Sequence, residues 1–186
     1  IGDSESESTW GDMFRSLKDR GLKGVKLITS DAHGGIQAAI ARHFQGVRWQ
    51  RCQVHFKREL SRKVSYKAYK EIQSDLKSVL ASEDRDECLR RAEEMAVKWE
   101  PRYPAVAAML RDGFEDCLTV LSFPEHHQRR LRSTNMLENL MRRLKKRSRV
   151  VGVFPNRASC DRLLGAQLVE VHEKWAASDI AYFNMD

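Results

Sequence analysis

Long apolar runs are missing from this sequence. The 186-residue chain is 41% hydrophobic and 32% charged, and its apolar stretches are only a few residues long. A membrane-spanning helix needs about 20 predominantly apolar residues, so the sequence excludes a helical span. The first residues, IGDSESESTWGD, also lack the basic start and apolar segment of a signal peptide. We therefore expect a globular, cytoplasmic protein with no membrane partner.

Closely spaced cysteine pairs are also missing. The cysteines are Cys52, Cys88, Cys117 and Cys160. With no CxxC motif and no secretory signal, this usage predicts reduced thiols rather than a disulfide framework. Cys52 and His55 have the spacing of half a zinc site, but a closed site needs two more ligands. His126 and His127 are the candidates for these two ligands, but they have no cysteine partner. A zinc site is therefore the less favoured interpretation.

Acidic residues are scarce in one stretch, residues 129–149. It contains nine Lys or Arg and a single Glu, while the whole chain has a net charge of +7. The remainder of the chain therefore has a net charge of about −1, so the basicity is concentrated in one patch. A concentrated basic patch is typical of a nucleic-acid partner. A solvated helix face is the alternative, and charge alone leaves both open.

The first part of the chain alternates between helix and strand patterns. Trp10–Arg20 has a helical apolar stripe that ends at Gly21, and residues 24–29 form a short β-branched run. A second helix is predicted from Gly34 to Gly46, and residues 47–56 alternate like a strand. Helix, strand, helix and strand in this order predict an α/β layer with neighbouring strands.

The rest of the chain has helical periodicity. The predicted helices span residues 66–80, 85–99, 105–121, 131–149 and 157–175, with a turn at 123–127. Asn156 is expected to cap the last helix, whose apolar stripe we expect to be buried. The resulting division is residues 1–56 as a partial core, 57–124 as an all-helical insertion, and 125–186 as the completion of the core.

Two carboxylates lie at positions of chemical interest. Asp31 follows a predicted strand, where α/β folds place ligand groups, although a turn or helix cap is the favoured role from position alone. Glu138 lies at the edge of the apolar stripe Leu137, Leu140, Met141 and Leu144. Beside Arg142, four residues further on, it is most simply a salt-bridge partner.

Taken together, several segments resemble a known family. SDAHGG at residues 30–35, WQRCQVHFKREL at 49–60 and STNMLEN at 133–139, followed by KKRSRVVGVFPN, resemble the Mutator-type transposases of bacterial insertion sequences. The resemblance extends from about Ile1 to Trp175, and it covers the order of the motifs as well as their spacing.

The resemblance implies a fold and an active site. The fold would be α/β and ribonuclease H-like, without its first strands and with an all-helical insertion. Asp31 matches the second Asp of an Asp-Asp-Glu triad, and Glu138 matches the Glu. Lys145 matches a basic residue on the same helix. Cys52 and His55 match a C-x-x-H signature whose role is uncertain.

The same resemblance implies that Asp31 and Glu138 bind Mg²⁺ or Mn²⁺. The activity that it implies is metal-dependent cleavage of DNA followed by transfer of its strands. Transposon ends and target DNA are the expected partners of a homo-oligomer associated with the bacterial nucleoid. The residues expected to contact DNA are Arg142, Lys145, Lys146, Arg147 and Arg149. The resemblance places the first Asp of the triad on an early strand, and nothing before Trp10 matches that strand. We therefore expect this chain to be a carboxyl-terminal portion of a transposase that is inactive alone.

Two alternatives to this enzyme remain. One is a non-catalytic DNA-binding or dimerisation remnant of a transposase, which the missing Asp makes plausible. The other is a helical nucleic-acid adaptor that uses only the basic helix. The adaptor interpretation predicts no strand layer in residues 22–56.

Overall fold

The computed structural model describes residues 6–178, which form nine α-helices and two strands. The elements are α1 (Glu7–Asp19), β1 (Leu27–Ser30), α2 (Gly34–His43), β2 (Arg48–Arg51), α3 (Gln53–Ser61), α4 (Tyr66–Val79), α5 (Arg85–Trp99), α6 (Pro104–Gly113), α7 (Glu125–Leu131), α8 (Asn135–Val151) and α9 (Arg157–Ala176). The chain divides into two compact units, and the boundary lies between Thr134 and Asn135.

The first part of the first unit is a small α/β layer. β1 and β2 pair in parallel, with Leu27 opposite Arg48 and Ser30 opposite Arg51. Helices α1 and α2 pack together around Phe14 and Ile40, both of which are buried. Parallel neighbours require a crossover connection, and α2 supplies it. The predicted order of helix, strand, helix and strand is confirmed, and the adaptor interpretation, which required no strand layer here, is wrong.

The second strand is shorter than the sequence pattern predicted. β2 ends at Arg51, Cys52 is the extended residue before the next helix, and α3 begins at Gln53. The buried residues of α3 are Gln53, Phe56 and Leu60, which have helical rather than alternating spacing. Our placement of residues 53–56 in a strand was therefore wrong.

Helices α3 to α6 form the main hydrophobic core of the first unit. Its largest fully buried side chains include Phe56, Leu60, Ile72, Leu76 and Phe114. The rings of Phe56 and Phe114 lie 5.9 Å apart between centroids. The predicted helices at 66–80 and 85–99 are confirmed within one residue at each end.

Buried amides join β2 to this helical layer. The Gln50 side chain is fully buried, and its Nε2 donates to the carbonyl of Cys117 at 2.8 Å. Its Oε1 accepts from the Val120 N–H at 2.7 Å. Gln53 Nε2 donates to the same Cys117 carbonyl at 2.9 Å. Buried polar groups are costly unless paired, so these bonds fix the sheet against the helices.

The predicted helix at 105–121 is interrupted. α6 ends at Gly113, and two short 3-10 turns follow at Glu115–Cys117 and Thr119–Ser122. A Cβ at Gly113 would collide with Arg51 Nη1, so the absent side chain leaves room for a buried guanidinium. The predicted turn at 123–127 is also wrong in part, because α7 begins at Glu125.

The second unit contains α8 and α9, which contact each other. Asn156 caps α9 as predicted, because its Oδ1 accepts from the Ser159 N–H at 2.9 Å. The predicted buried face of α9 is wrong: among its described residues none is buried, and Trp175 is 46% exposed. Among the described residues of α8, Leu144 alone is buried.

The observed fold is α/β with a small two-stranded sheet and a majority of helices. The division at residues 56 and 124 stays a prediction. Within residues 6–178, no helix is both long and apolar enough to cross a membrane.

Candidate active site at the carboxyl edge of the sheet

Asp31 is the first residue after β1, at the carboxyl edge of the parallel sheet. Its side chain is exposed, and its carboxylate makes no hydrogen bond or ion pair among residues 6–178. The helix that follows is capped by His33, whose Nδ1 accepts from the Gly35 N–H at 3.2 Å. The helix-cap interpretation of Asp31 is therefore wrong, and the carboxylate remains available to a ligand.

The backbone at Asp31 is held by two side chains. Ser30 is buried, and its hydroxyl donates to the Asp31 carbonyl at 2.8 Å. The Trp49 indole N–H donates to the same Ser30 oxygen at 2.8 Å. A carboxylate at a strand end is positioned well when its own backbone is fixed in this way. Sequence reasoning missed both supporting residues, because a serine before an aspartate is also typical of an ordinary turn.

Cys52 occupies the equivalent position on the neighbouring strand. It follows β2, is fully buried, and its N–H donates to the Ser30 carbonyl at 2.7 Å. The ladder of the sheet therefore continues one residue past β2, and Cys52 lies beside the strand end that carries Asp31. The structure brings these two predicted residues together. His55 lies in the first turn of α3 and is partly buried.

Residues 131–134, at the end of the first unit, are attached to this same edge. The Thr29 hydroxyl of β1 donates to the Leu131 carbonyl at 2.7 Å. The Gln53 N–H, at the start of α3, donates to the Arg132 carbonyl at 3.0 Å. The Thr134 N–H donates to Cys52 Sγ at 3.4 Å, and Cys52 Sγ also lies 3.4 Å from Thr134 Oγ1. We call residues 131–134 the docked segment.

Arg132, in the docked segment, lies near a second positive charge, that of Lys57 on α3. Burial lowers the pKa of Lys57 on α3, and the nearby charge of Arg132 lowers it further. The Lys57 ammonium makes no ion pair or hydrogen bond within the described part of the chain. The two positive charges therefore lie close enough to repel each other electrostatically. No sequence pattern indicated this pair, because the two residues are far apart in the chain.

Glu138 lies in the first turn of α8, in the second unit. An α-helix turns about 100° per residue, so Arg142, Lys145 and Arg149 fall within about 60° of one another and share the Glu138 side of the helix. Lys146 flanks this stripe, and Arg147 lies on the opposite side. All five basic residues are exposed. Their predicted DNA contacts stay a prediction.

The described cysteines are all free thiols, as predicted. Burial raises the pKa of the Cys117 thiol to about 12 and also raises that of Cys88, so both remain protonated near neutral pH. Among residues 6–178, no group of three or more His, Cys, Asp or Glu side chains is arranged to hold a metal ion.

Comparison with known proteins agrees with these motifs. Residues 1–178 match the family described as Transposase, Mutator family. The chain is 37% identical over 188 residues to the transposase for insertion sequence element IS256 in transposon Tn4001 of Staphylococcus aureus, which covers all of this chain and 48% of the relative. It is 40% identical over 182 residues to the transposase for insertion sequence element ISRM5 of Rhizobium meliloti, which covers 98% of the chain and 46% of the relative.

A third relative extends the comparison to another group of bacteria. The transposase for insertion sequence element IS1081 of Mycobacterium tuberculosis is 35% identical over 175 residues, covering 94% of the chain and 42% of the relative. The chain thus spans about half the length of the curated relatives that it matches. This chain belongs to the Mutator family of transposases.

Proposed function

We propose that this chain supplies part of the catalytic machinery of a DNA transposase, with a ribonuclease H-like, Asp-Asp-Glu type of active site. The observation that carries the proposal is the exposed Asp31 carboxylate at the carboxyl edge of the sheet, in a chain of the Mutator family. The reaction is DNA strand cleavage followed by strand transfer. Transposon ends and target DNA are the substrates, and the working form is a homo-oligomer.

Asp31 and Glu138 are the proposed metal ligands. Carboxylate oxygens suit Mg²⁺, which keeps several waters and needs only one or two protein carboxylates, so the small ligand set of this chain fits such an ion. Mn²⁺ suits the same donors. A bound divalent ion would supply charge stabilisation at the phosphate and activate the attacking hydroxyl. The chain's own contribution is to fix the Asp31 backbone through Ser30 and Trp49.

The basic side of α8 is the proposed DNA contact. Arg142, Lys145 and Arg149 share the side of the helix on which Glu138 lies, so DNA held there would lie beside the carboxylate. Phosphate contacts of this type position DNA without reading its sequence. Lys57 and Arg132 offer a second cationic pair near the sheet edge. Both the basic side of α8 and the Lys57–Arg132 pair present positive charge, which suits the phosphates of DNA.

A chimera tests the catalytic proposal. In it this chain replaces the matching half of the Rhizobium meliloti relative, and cleavage is measured on DNA that carries the ends of that element, with Mg²⁺ or Mn²⁺. We expect Asp31→Ala and Glu138→Ala each to reduce cleavage by at least about a thousandfold, the scale of an essential charge-stabilising group. Glu71→Ala, which removes an exposed carboxylate on α4, is the matched control and should leave the rate unchanged.

Two results would count against the proposal. Full cleavage by both alanine variants would show that the carboxylates are assigned wrongly. A chimera that binds the DNA ends but never cleaves, with or without the substitutions, would favour the alternative of a non-catalytic DNA-binding or dimerisation remnant. Because the proposal assigns two carboxylates of the triad, Asp31 and Glu138, to this chain, we expect the 186-residue chain alone to bind DNA without cleaving it.

The proposed DNA face is tested with two charge-matched triple variants of the 186-residue chain. One replaces Arg142, Lys145 and Arg149 by alanine. The other replaces Arg143, Lys146 and Arg147, of which Lys146 and Arg147 are predicted contacts that lie outside the Glu138 side of α8. Each loses three positive charges. We expect the first to weaken duplex binding more and to reduce the salt dependence of log K by about two to three units of slope. Equal losses in the two variants would show that net charge, rather than this side of α8, determines binding.

A further inference from the structure

We propose that Cys52 is a positioning residue that fixes, at the sheet edge where Asp31 lies, the segment from which the Glu138 helix starts. This inference rests on the proposed function, because it concerns how one proposed metal ligand is placed. It assigns a role to the cysteine of the C-x-x-H signature that involves neither a metal nor a nucleophilic thiolate. The partner of the thiol is Thr134, the last residue before α8.

The docked segment is held at the sheet edge by three successive attachments. Thr29 holds the carbonyl of residue 131, Gln53 holds the carbonyl of residue 132, and Cys52 contacts both the N–H and the hydroxyl of Thr134. The second attachment uses a backbone N–H that any residue except proline supplies. The third depends on the Cys52 side chain, because its sulfur accepts the Thr134 N–H.

The position of Thr134 matters because Glu138 comes only four residues later, within the first turn of α8. A helix is stiff over one turn, so fixing the residue before it restricts where that turn begins. Side chains in metal sites work best when a supporting group holds their element in place. Cys52 follows the strand beside the one that carries Asp31, and its sulfur accepts the N–H of Thr134, the last residue before α8.

A merely structural thiol would behave differently, and the chain contains one for comparison. Cys88 is also fully buried, and its Sγ donates to the Val79 and Ser82 carbonyls in the helical layer. Removing either thiol should lower the melting temperature. Removing Cys52 should in addition loosen residues 131–138, whereas removing Cys88 should not.

The test begins with amide hydrogen exchange in the 186-residue chain. We expect Cys52→Ala to accelerate exchange at Thr134 and the first turn of α8 by about tenfold, since the Thr134 N–H loses its bond to sulfur. Cys52→Ser retains an acceptor and should restore most of the protection. Cys88→Ala should change exchange only near residues 79–88. If Cys52→Ala proves unfolded by circular dichroism, Cys52→Val takes its place, because it removes the sulfur acceptor of the Thr134 N–H while filling the buried space.

The second readout is the cleavage assay of the chimera. Cys52→Ala should lower kcat about tenfold while DNA affinity stays unchanged, and Cys52→Ser should rescue the rate. Unaltered exchange at residues 131–138, or equal effects of Cys52→Ala and Cys88→Ala, would overturn the inference. If Asp31→Ala and Glu138→Ala abolish cleavage but Cys52→Ala leaves kcat intact, the inference fails and the proposed function stands. If Asp31→Ala and Glu138→Ala cleave normally, the proposed function fails, and the inferred effect of Cys52 on catalysis fails with it.

Discussion

Apolar side chains recur at helical spacing in both units of the chain, but the two units differ in how far these side chains are buried. In the helical layer of the first unit, the stripe of α4 is buried along its length, with Ile72 and Leu76 at 0% and 1% exposure. In the second unit, Leu137 and Met141 of the α8 stripe are 60% and 46% exposed. α9 has no buried residue among those described. An amphipathic pattern therefore predicts a helix in both units but burial in only one.

The difference shows which interactions stabilise each unit. The helices of the first unit gain most from apolar burial, which is the main favourable term in folding. α9 depends more on local interactions such as the Asn156 cap and the Lys174–Glu170 pair, which stabilise a helix without a core. Substitutions matched across the two units should therefore differ in their cost, and the size of that difference tests the comparison.

The largest expected difference is between two leucines. Leu60 of α3 is fully buried, and Leu60→Ala should lower the free energy of unfolding by about 2–5 kcal/mol through lost burial and the cavity left behind. Leu137→Ala on α8 should change it by less than about 0.5 kcal/mol, because that side chain is mostly exposed. Urea unfolding followed by circular dichroism measures both. Similar costs would show that Leu137 is covered in solution.

Two helical glycines give the next contrast. A Cβ at Gly113 would collide with the Arg51 guanidinium, which donates to Glu59 at 2.7 Å and lies 4.9 Å from the Phe56 ring centroid. Gly113→Ala should therefore cost about 1–3 kcal/mol, the usual range for overpacking. Apart from its chain neighbours and the backbone of its own helix, Gly165 of α9 has no heavy atom of the described residues within 4 Å of its Cβ position. Gly165→Ala should stabilise by about 0.5–1 kcal/mol, since alanine favours the helix.

The same variants provide their own control, because both replace glycine by alanine in a helix. Thermal unfolding of the two proteins under one set of conditions should give shifts of opposite sign. Destabilisation by Gly165→Ala would mean that α9 packs closely against another surface in solution. A harmless Gly113→Ala would mean that Arg51 moves aside without losing its partners.

Sequence periodicity predicted most of the helices but not the breaks between elements. The helices at 66–80 and 85–99 were predicted well because their stripes are long and regular. The change from β2 to α3 at Cys52 was missed because a few residues of alternation fit either element. The break at Gly113 depends on Arg51, 62 residues away in the chain, and no local pattern contains that contact.

Individual residues of the candidate site were predicted from the sequence, but the contacts that hold them in place were not. Asp31 at a strand end could be inferred from the β-branched run before it. The bond from Thr29 to Leu131 joins residues 102 apart, and that between Cys52 and Thr134 joins residues 82 apart. Such contacts depend on tertiary packing, which periodicity does not encode. The burial of the α9 stripe was overestimated for the same reason.

The smallest expected effect concerns acid stability. Hydrogen bonds from Arg90 and Arg91 lower the pKa of Glu87 on α5 to about 2, from an ordinary value near 4.5. Because the folded pKa is the lower one, this carboxylate stabilises the fold above about pH 4.5 and loses that contribution as the pH falls towards 2. Glu87→Gln should therefore flatten the loss of stability in this window and leave the slope at neutral pH unchanged.

Glu170 on α9 is the matched carboxylate of the second unit. Lys174 lowers its pKa through a single hydrogen bond, with a further contribution from Arg147, whereas Glu87 has two arginine partners. Glu170→Gln should change the acid slope less than Glu87→Gln does, because exposed pairs with one partner contribute little. Unfolding free energies measured by urea titration between about pH 2 and pH 5 compare the two variants with the parent chain. An equal effect would show that α9 is tied to the folded structure as firmly as α5, and the contrast between the two units would then be limited to apolar burial.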